Sequence, residues 1–220
     1  TGWAGTRSWV GTTGEWHEVA NWDGGASLPG PGDDVQITNP GASVTLTGSV
    51  SVLSLNLSRT LVFTNWDTCL TAAGDVAIAG GGTMTCAGPC QNNAMSNRVN
   101  VACDNFLVAA GGSVNVDARG YDGGIKATSG GHGQGPGGGA GYAPGTEGGS
   151  HGGYGYLYTP IAYYYFSSGN GPYGDPAAPV CPGSGGVGSD TVSGGAGGGA
   201  VRIVAKGVVT VNGRITANGR

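Results

Sequence analysis

The sequence of 220 residues has little charge, no excess of basic residues and no long apolar run. Charged residues make up 10% of the chain, whereas roughly a quarter of an average soluble protein is charged. The net charge of −4 excludes the basic patch of a nucleic-acid-binding protein. No apolar run of about 18 residues is present, so no membrane span is predicted. We therefore expect an extracellular protein, secreted or exposed at a surface.

Glycine is abundant, and it is concentrated in one stretch. Residues 119–199 contain 29 of the 49 glycines and all nine tyrosines. Because glycine loses more backbone freedom on folding than any other residue, an ordered stretch of this kind must be held by close contacts. We predict an insertion of coil or polyproline-II character, in which bare backbones pack closely and tyrosine rings cover them.

The middle of this insertion is aromatic enough to form a contact surface. Such a patch is typical of a subunit interface or a sugar-binding face. The alternative, that it packs on the outer wall of the rest of the domain, stays open. The candidate contact residues are Tyr154, Tyr156, Tyr158, Tyr163, Tyr164 and Tyr165.

Four of the five tryptophans lie in residues 1–32. Large side chains clustered at one end of a chain favour a cap that closes the end of a hydrophobic core. The alternative is an aromatic platform for sugar rings, which keeps these residues among the candidate interface or ligand contacts: Trp3, Trp9, Trp16 and Trp22.

Residues 33–118 carry short alternating strands and no helical period. A distance of 15 residues recurs, for example from Val35 to Val50 and from Leu61 to Val76. Regular offsets that leave no room for a helix favour a parallel β-solenoid, in which each coil stacks on the last. An antiparallel sandwich would require tight hairpins, which are missing here.

The strand pattern resumes in residues 200–220, after the insertion. Residues 207–219 resemble residues 106–120, since both have an apolar pair, a glycine turn and a second apolar strand. We therefore predict that the solenoid continues across the insertion, with a capped start and an open end. The predicted fold is all-β: a tryptophan cap, solenoid coils, a glycine/tyrosine-rich insertion and final coils.

The cysteine pattern favours disulfides over zinc. Cys86 and Cys90 lack the second pair of ligands that a zinc site requires. Cys69, Cys86 and Cys103 are evenly spaced, which suggests neighbouring coils. The candidate disulfide residues are Cys69, Cys86, Cys90 and Cys103, and the odd count, which includes Cys181, leaves one thiol over.

No catalytic constellation emerges from the sequence, and we expect no enzyme activity. The pairs Asp33–Asp34 and Asp117/Asp122 are interpreted as turn caps or surface charges. Gly131-His132-Gly133 lies in the insertion rather than on a strand, and His151 has no evident metal partners. No cofactor is predicted, and a single structural calcium ion is left open.

The glycine-rich run, with Gly194-Gly-Ala-Gly-Gly-Gly-Ala-Val-Arg-Ile and Pro29-Gly-Pro-Gly-Asp-Asp-Val-Gln-Ile, resembles glycine-rich β-helix segments of large secreted, adhesin-like and autotransporter-like bacterial proteins. The resemblance implies a parallel β-helix and surface exposure, but no shared activity.

Two functions follow as expectations. The favoured one is a secreted structural subunit that self-assembles into a filament or surface layer, because open strand edges accept further copies. The alternative is an adhesin that binds a glycan or a surface. A polysaccharide-active β-helix enzyme ranks third.

Overall fold

The structure is a computed structural model that describes residues 5–126, 131–140, 146–151, 157–158, 171–175, 177 and 180–220, with 146–147 and 157–158 described by their backbone alone. The described part is all-β apart from a short 3-10 turn at Val19–Asn21. It divides into two compact units. The solenoid unit comprises Thr1–Ala87, Asn97–Asn115 and Val201–Thr216, and the glycine-rich unit comprises Gly88–Ser96, Val116–Ala200 and Ala217–Arg220.

The solenoid unit is built from three parallel sheets. Strands are numbered along the chain. Sheet 1 contains β1 (Thr6–Ser8), β3 (Asp34–Ile37), β6 (Ser54–Leu57), β9 (Val76–Ile78), β12 (Phe106–Val108) and β17 (Val209–Val211). Sheet 2 contains β2 (Thr13–Glu15), β4 (Ser43–Leu46), β7 (Thr60–Phe63), β10 (Thr83–Cys86), β13 (Ser113–Asn115) and β18 (Arg214–Thr216). Sheet 3 contains β5 (Val50–Val52), β8 (Leu70–Ala72), β11 (Val99–Cys103) and β16 (Val201–Ala205).

The predicted parallel β-solenoid is confirmed, because the chain visits the three sheets in turn and each strand pairs in parallel with the strand one coil later. Alternation sets the core: Val35 and Ile37 are fully buried, while Gln36 between them faces outward. The inward residues form ladders across the coils, as in the series Val35, Leu55, Val76 and Phe106.

The 15-residue stacking register is wrong. Val35 pairs with Leu55, whereas Val50 lies in another sheet. Each coil carries up to three strands with loops between them. An offset of 15 residues can therefore join strands of two different sheets, as it does for Val35 and Val50. Every strand has the same alternating apolar pattern. The distance along the chain between two strands of different sheets can therefore be mistaken for the length of a coil.

The solenoid does continue across the insertion, as predicted. β16 pairs with β11, β17 with β12 and β18 with β13. The similarity between residues 106–120 and 207–219 therefore reflects two stacked coils. The segment between β13 and β16 enters the glycine-rich unit before the chain returns.

The glycine-rich unit is held by backbone hydrogen bonds between glycine segments. Residues 120–124 bond to four neighbouring segments, around residues 90, 134, 183–186 and 194–197. A β-strand has at most two partners in its sheet, whereas polyproline-II chains can bond in several directions. β14 (Thr146–Glu147) and β15 (Leu157–Tyr158) add a short antiparallel pair.

At two positions of this unit, Gly185 and Gly123, glycine is required by close approach rather than by positive φ. A Cβ on Gly185 would lie 2.0 Å from the carbonyl oxygen of Asp122, and a Cβ on Gly123 would lie 2.0 Å from that of Gly194. Neither glycine has a positive φ. The repeated glycines therefore allow neighbouring backbones to approach to hydrogen-bonding distance.

Candidate functional site: the open C-terminal coil

The last coil, formed by β16, β17 and β18, has inward side chains that are exposed in β17 and β18 and half-exposed in β16. Val209 is in register with Phe106, and Ile215 with Val114. Phe106 and Val114 are 0% exposed, whereas Val209 is 50% and Ile215 is 40% exposed. Val211, which follows Val108 in its ladder, is 45% exposed. The core face that is buried one coil earlier is thus uncovered at this end of the described solenoid.

The same coil also presents backbone groups. β16, β17 and β18 are each the outermost strand of their sheet. On its outer side, each has no neighbouring strand among the residues that the structure describes. An edge strand leaves a row of N–H and C=O groups available for pairing with another chain. The end surface therefore combines apolar side chains with unpaired strand edges, and we call it the open coil.

The first coil differs, because tryptophans close it. Trp9, Trp16 and Trp22 are 2%, 0% and 1% exposed. Trp22 stands edge-on to both others, with ring centroids 5.2 Å from Trp9 and 4.8 Å from Trp16. Its indole Nε1 donates to the Trp16 carbonyl at 2.7 Å. This geometry fits the predicted cap. Because these three side chains are buried, the prediction that they contact a ligand is corrected. Trp3 lies outside the described residues.

The cap also occupies the free edges of the first coil. The Val10 amide donates to the Asn21 carbonyl, and the Asp23 amide to the Ser8 carbonyl, each at 2.9 Å. The Asn21 side chain donates from Nδ2 to the Glu15 carbonyl at 3.1 Å. Both β1 and β2 thus have edge groups bonded by the segment that follows them. The two ends of the described solenoid are therefore chemically different, one closed and one open.

Glu15 fastens this closed end to the second coil. The Thr47 hydroxyl donates to Glu15 Oε1 at 2.6 Å, and the His17 amide donates to Oε2 at 2.6 Å. Burial raises the pKa of the Glu15 carboxyl, but the hydrogen bonds from Thr47 and His17 outweigh it and lower the pKa below the ordinary value. The carboxylate form is therefore the one that stabilises the cap.

The acidic pair Asp33–Asp34 has structural partners. Asp33 accepts from the Gly30 amide at 2.8 Å and so caps the turn before β3. Asp34 accepts from the Ser54 hydroxyl, across the outer face of sheet 1. In the glycine-rich unit His151 stacks edge-on against Tyr173, with ring centroids 4.8 Å apart. Among the described residues, no cluster of three or more His, Cys, Asp or Glu could hold a metal ion.

Inside the glycine-rich unit, a tyrosine ring covers glycine backbone and a tyrosine hydroxyl bonds to a carbonyl group, as we expected from the sequence. The Tyr121 ring is 3% exposed and lies against Gly135, where a Cβ would come within 2.4 Å of it. The Tyr173 hydroxyl donates to the Pro182 carbonyl and accepts from the Ser184 hydroxyl at 2.9 Å. Burial raises the pKa of Tyr173 to about 12. Of the predicted tyrosine patch, Tyr158 is described by its backbone alone, and Tyr154, Tyr156, Tyr163, Tyr164 and Tyr165 lie outside the described residues.

A polar cleft of 770 Å³ opens in the glycine-rich unit, and sequence reasoning missed it as a site. Its charged lining comes from Asp117, Arg119, Asp122 and Arg220. The Asp122 carboxylate accepts from the Gly123 amide at 2.9 Å. The rest of the wall is formed by Pro89, Ala118 and residues 193–196. Only the closeness of Asp117, Arg119 and Asp122 in the sequence could have indicated it.

None of the five cysteines is joined in a disulfide in the structure. Cys86 ends β10 and Cys103 ends β11, so these two lie in different sheets. Both are core residues, 1% and 3% exposed. Burial, together with the negative charges of Asp75 and Asp104, raises the pKa of the Cys103 thiol. Cys69 lies just before β8, so the even spacing does not place the three sulfurs in one ladder.

Comparisons with protein-family models, with curated proteins and with solved structures found no match to this chain. Within the described ranges, no helix has the length and apolar character needed to cross a membrane. The functional argument therefore depends on the geometry of the chain itself.

Proposed function

We propose that this chain is a secreted structural subunit that associates with a second copy through the open coil. The observation that carries the proposal is the exposure of Val209, Val211 and Ile215, whose ladder neighbours one coil earlier are fully buried. The low content of charged residues, 10%, supports an extracellular setting.

The open coil favours a β-structured partner. Fully burying one valine or isoleucine side chain contributes about 1.5–3 kcal/mol, so covering several half-exposed ones is a substantial driving force. A flat apolar ligand would leave the edges of β16, β17 and β18 unpaired. A second coil would cover the side chains and pair with these edges at the same time.

The closed first coil determines how a second copy is placed. Head-to-tail stacking would require the first coil to accept an open coil, but edge carbonyls of both β1 and β2 are already bonded by residues 21–23. Two open coils can instead meet face to face around a two-fold axis, which closes the assembly. The proposal is thus narrower than the filament expected from the sequence, because a filament or layer would require a second contact surface.

Analytical ultracentrifugation over a concentration series tests this proposal with a matched pair of variants. Val211 points into the open coil and is 45% exposed, while Val204 lies on the outward side of β16 and is 44% exposed. We expect a concentration-dependent dimer for the native chain and for Val204→Lys, and a monomer for Val211→Lys. A native chain that stays monomeric at the highest concentration would contradict the proposal, as would equal dimerisation of both variants.

A second candidate function, glycan binding, is favoured by the polar cleft of the glycine-rich unit. Its volume of 770 Å³ lies within the usual range for ligand sites. Guanidinium donors and carboxylate acceptors together suit the hydroxyl groups of a sugar. The test is a glycan array probed with the native chain and with Arg119→Ala, while Arg214→Ala in the solenoid unit serves as a charge-matched control. Identical weak binding by all three proteins would remove this candidate.

A further inference from the structure

The outer face of sheet 2 carries two regular rows of side chains, which we call the hydroxyl face. The register of β2, β4, β7, β10, β13 and β18 places residues of successive coils side by side. Eight of the twelve positions bear a hydroxyl group. The first row is Thr13, Ser43, Thr60, Thr83, Ser113 and Arg214, and the second is Glu15, Thr45, Val62, Thr85, Asn115 and Thr216.

These side chains point away from the core. The residues between the rows, such as Val44, Leu61 and Met84, are 0% exposed. Because side chains of a strand alternate between its two faces, the flanking Ser and Thr residues must face outward. Ser43, Thr45 and Thr60 are accordingly half-exposed. The only charged residues of the face, Glu15 and Arg214, lie on its two outermost strands.

Half of the six hydroxyls on the four central strands are free to bond outside the molecule, whereas the second-row hydroxyl of β10 donates to a backbone carbonyl of β13 at 2.6 Å. No side-chain hydrogen bond in the described part of the chain involves Ser43, Thr45 or Thr60. Thr83 and Ser113, which are neighbours in the first row, have their hydroxyl oxygens 3.2 Å apart. This contact lies along the row and leaves further hydrogen-bonding capacity on both groups.

The other two sheets lack this arrangement. On sheet 1, Asn56 donates to Gln36 at 2.9 Å and Ser54 to Asp34, so the outward groups satisfy one another and include a carboxylate. On sheet 3, the outward row through β5, β8, β11 and β16 consists of Ser51, Thr71, Ala102 and Val204. The hydroxyl face is therefore a property of sheet 2 and not of the fold in general.

The sheet determines the spacing of the hydroxyls. Neighbouring strands lie about 4.7–4.9 Å apart, and residues two positions apart along a strand are about 6.6 Å apart. These repeats run in two perpendicular directions over several coils. A dissolved ligand offers no extended two-dimensional repeat, whereas a crystal surface does. The oxygen atoms on a prism face of hexagonal ice form a rectangular repeat of comparable dimensions.

We propose that the hydroxyl face binds ice. Hydroxyl groups in register with the lattice take the positions of surface water molecules and form hydrogen bonds to the crystal beneath them. Each such bond is weak, but many form together because one rigid sheet holds all the donors and acceptors. A crystal to which the protein is adsorbed then grows only between the bound molecules, which lowers its freezing point relative to its melting point.

The test measures the gap between the freezing and melting points, together with the fraction of protein taken into a slowly growing ice hemisphere. Thr60→Lys places a charge at the centre of the hydroxyl face. Thr71→Lys makes the same change in the same coil, but on the outer side of sheet 3, where Thr71 is exposed. Circular dichroism and the thermal unfolding midpoint establish that both variants are folded.

The native chain and Thr71→Lys are expected to show the freezing gap and to enter the ice, and Thr60→Lys is expected to lose both properties. Val211→Lys should behave as the native chain, because Val211 lies on β17 in sheet 1 and points inward, away from the hydroxyl face. A native chain that matches an unrelated protein of equal mass would overturn the proposal. So would equal loss in the two threonine variants, or capture by crystalline cellulose without any effect on ice.

Discussion

Phe106 and Val209 occupy consecutive positions of one inward ladder, yet Phe106 is 0% exposed and Val209 is 50% exposed. The two residues have the same position in the sheet, since both are paired in register and both point toward the core. The difference is that a further coil covers Phe106, and no residue in the described part of the chain covers Val209. This asymmetry leads to the proposal of association through the open coil.

Removal of Trp22 should strongly destabilise the closed end. Its ring packs against both Trp9 and Trp16, and its Nε1 donates to the Trp16 carbonyl. Deleting a buried aromatic side chain costs about 3–5 kcal/mol. We expect Trp22→Ala to lower the free energy of unfolding by about this amount, measured by denaturant titration.

Trp66→Ala is the matched control for that variant. Trp66 is half-exposed, and its ring contacts the guanidinium of Arg98 at 4.5 Å. A cation–π contact at such a site is worth about 0.5–1 kcal/mol, so the loss should be much smaller. Equal destabilisation by the two substitutions would show that the tryptophan cluster is not a cap.

Close packing in the glycine-rich unit predicts opposite effects for two glycine substitutions. A Cβ at Gly185 would meet the Asp122 carbonyl oxygen at 2.0 Å, whereas a Cβ at Gly88 meets nothing within 4 Å. Overpacking costs about 1–3 kcal/mol or more. Ala at an unstrained glycine stabilises by about 0.4–1 kcal/mol, because it restricts the unfolded chain.

We therefore expect a lower melting temperature for Gly185→Ala and an unchanged or higher one for Gly88→Ala, measured by scanning calorimetry. The two transitions must be resolved, since the molecule has two compact units. If Gly185→Ala melts like the native protein, the close backbone contacts described here do not exist in solution.

The general character of the fold could be predicted from the sequence, and its register could not. Alternating pairs such as Val35 and Ile37 identify inward positions, because a two-residue period has one structural meaning. The coil length depends on loops that differ between turns, as the pairings of Val35 with Leu55 and of Val76 with Phe106 show. Alternation alone contains no information about loop length.

The candidate site was predictable in part. The echo between residues 106–120 and 207–219 predicted stacked final coils and an open end. The exposure of the Val209 and Val211 side chains follows from that expectation. The hydroxyl face was not visible, because Thr60 and Thr83 become neighbours only when the register of β7 and β10 is known. The cleft was missed for a similar reason, since Ser193 and Arg119 are far apart in the chain.

The Glu15 contacts predict a specific pH dependence of stability. The pKa of Glu15 is lowered in the folded state, so the unfolded chain binds the proton more readily, near its ordinary pKa of 4.5. The stabilisation is therefore complete above this pH and is lost as the pH falls through the folded pKa. We expect Glu15→Gln to be less stable than the native chain at pH 7, with a difference that shrinks in acid. A difference in unfolding free energy that is constant from pH 7 to pH 3 would exclude this linkage.

Thiol chemistry distinguishes the structure from the disulfide pattern expected from the sequence. Cys86, Cys90 and Cys103 are buried, while Cys69 and Cys181 are half-exposed. In the native protein a maleimide should modify Cys69 and Cys181 quickly and the other three only after unfolding, as read by mass spectrometry of peptides. A mass that shows bonded cysteine pairs in the unreduced protein would instead support the sequence-based expectation.

Hydrogen exchange of the backbone amides tests the association through the open coil most directly. The amides of β17 and β18 are to be compared at low and high protein concentration, with those of the buried strand β9 as an internal reference. We predict that exchange in β17 and β18 slows as the concentration rises, while β9 is unchanged, and that the Val211→Lys variant loses this slowing. Exchange rates in β17 and β18 that are the same at every concentration would contradict the account.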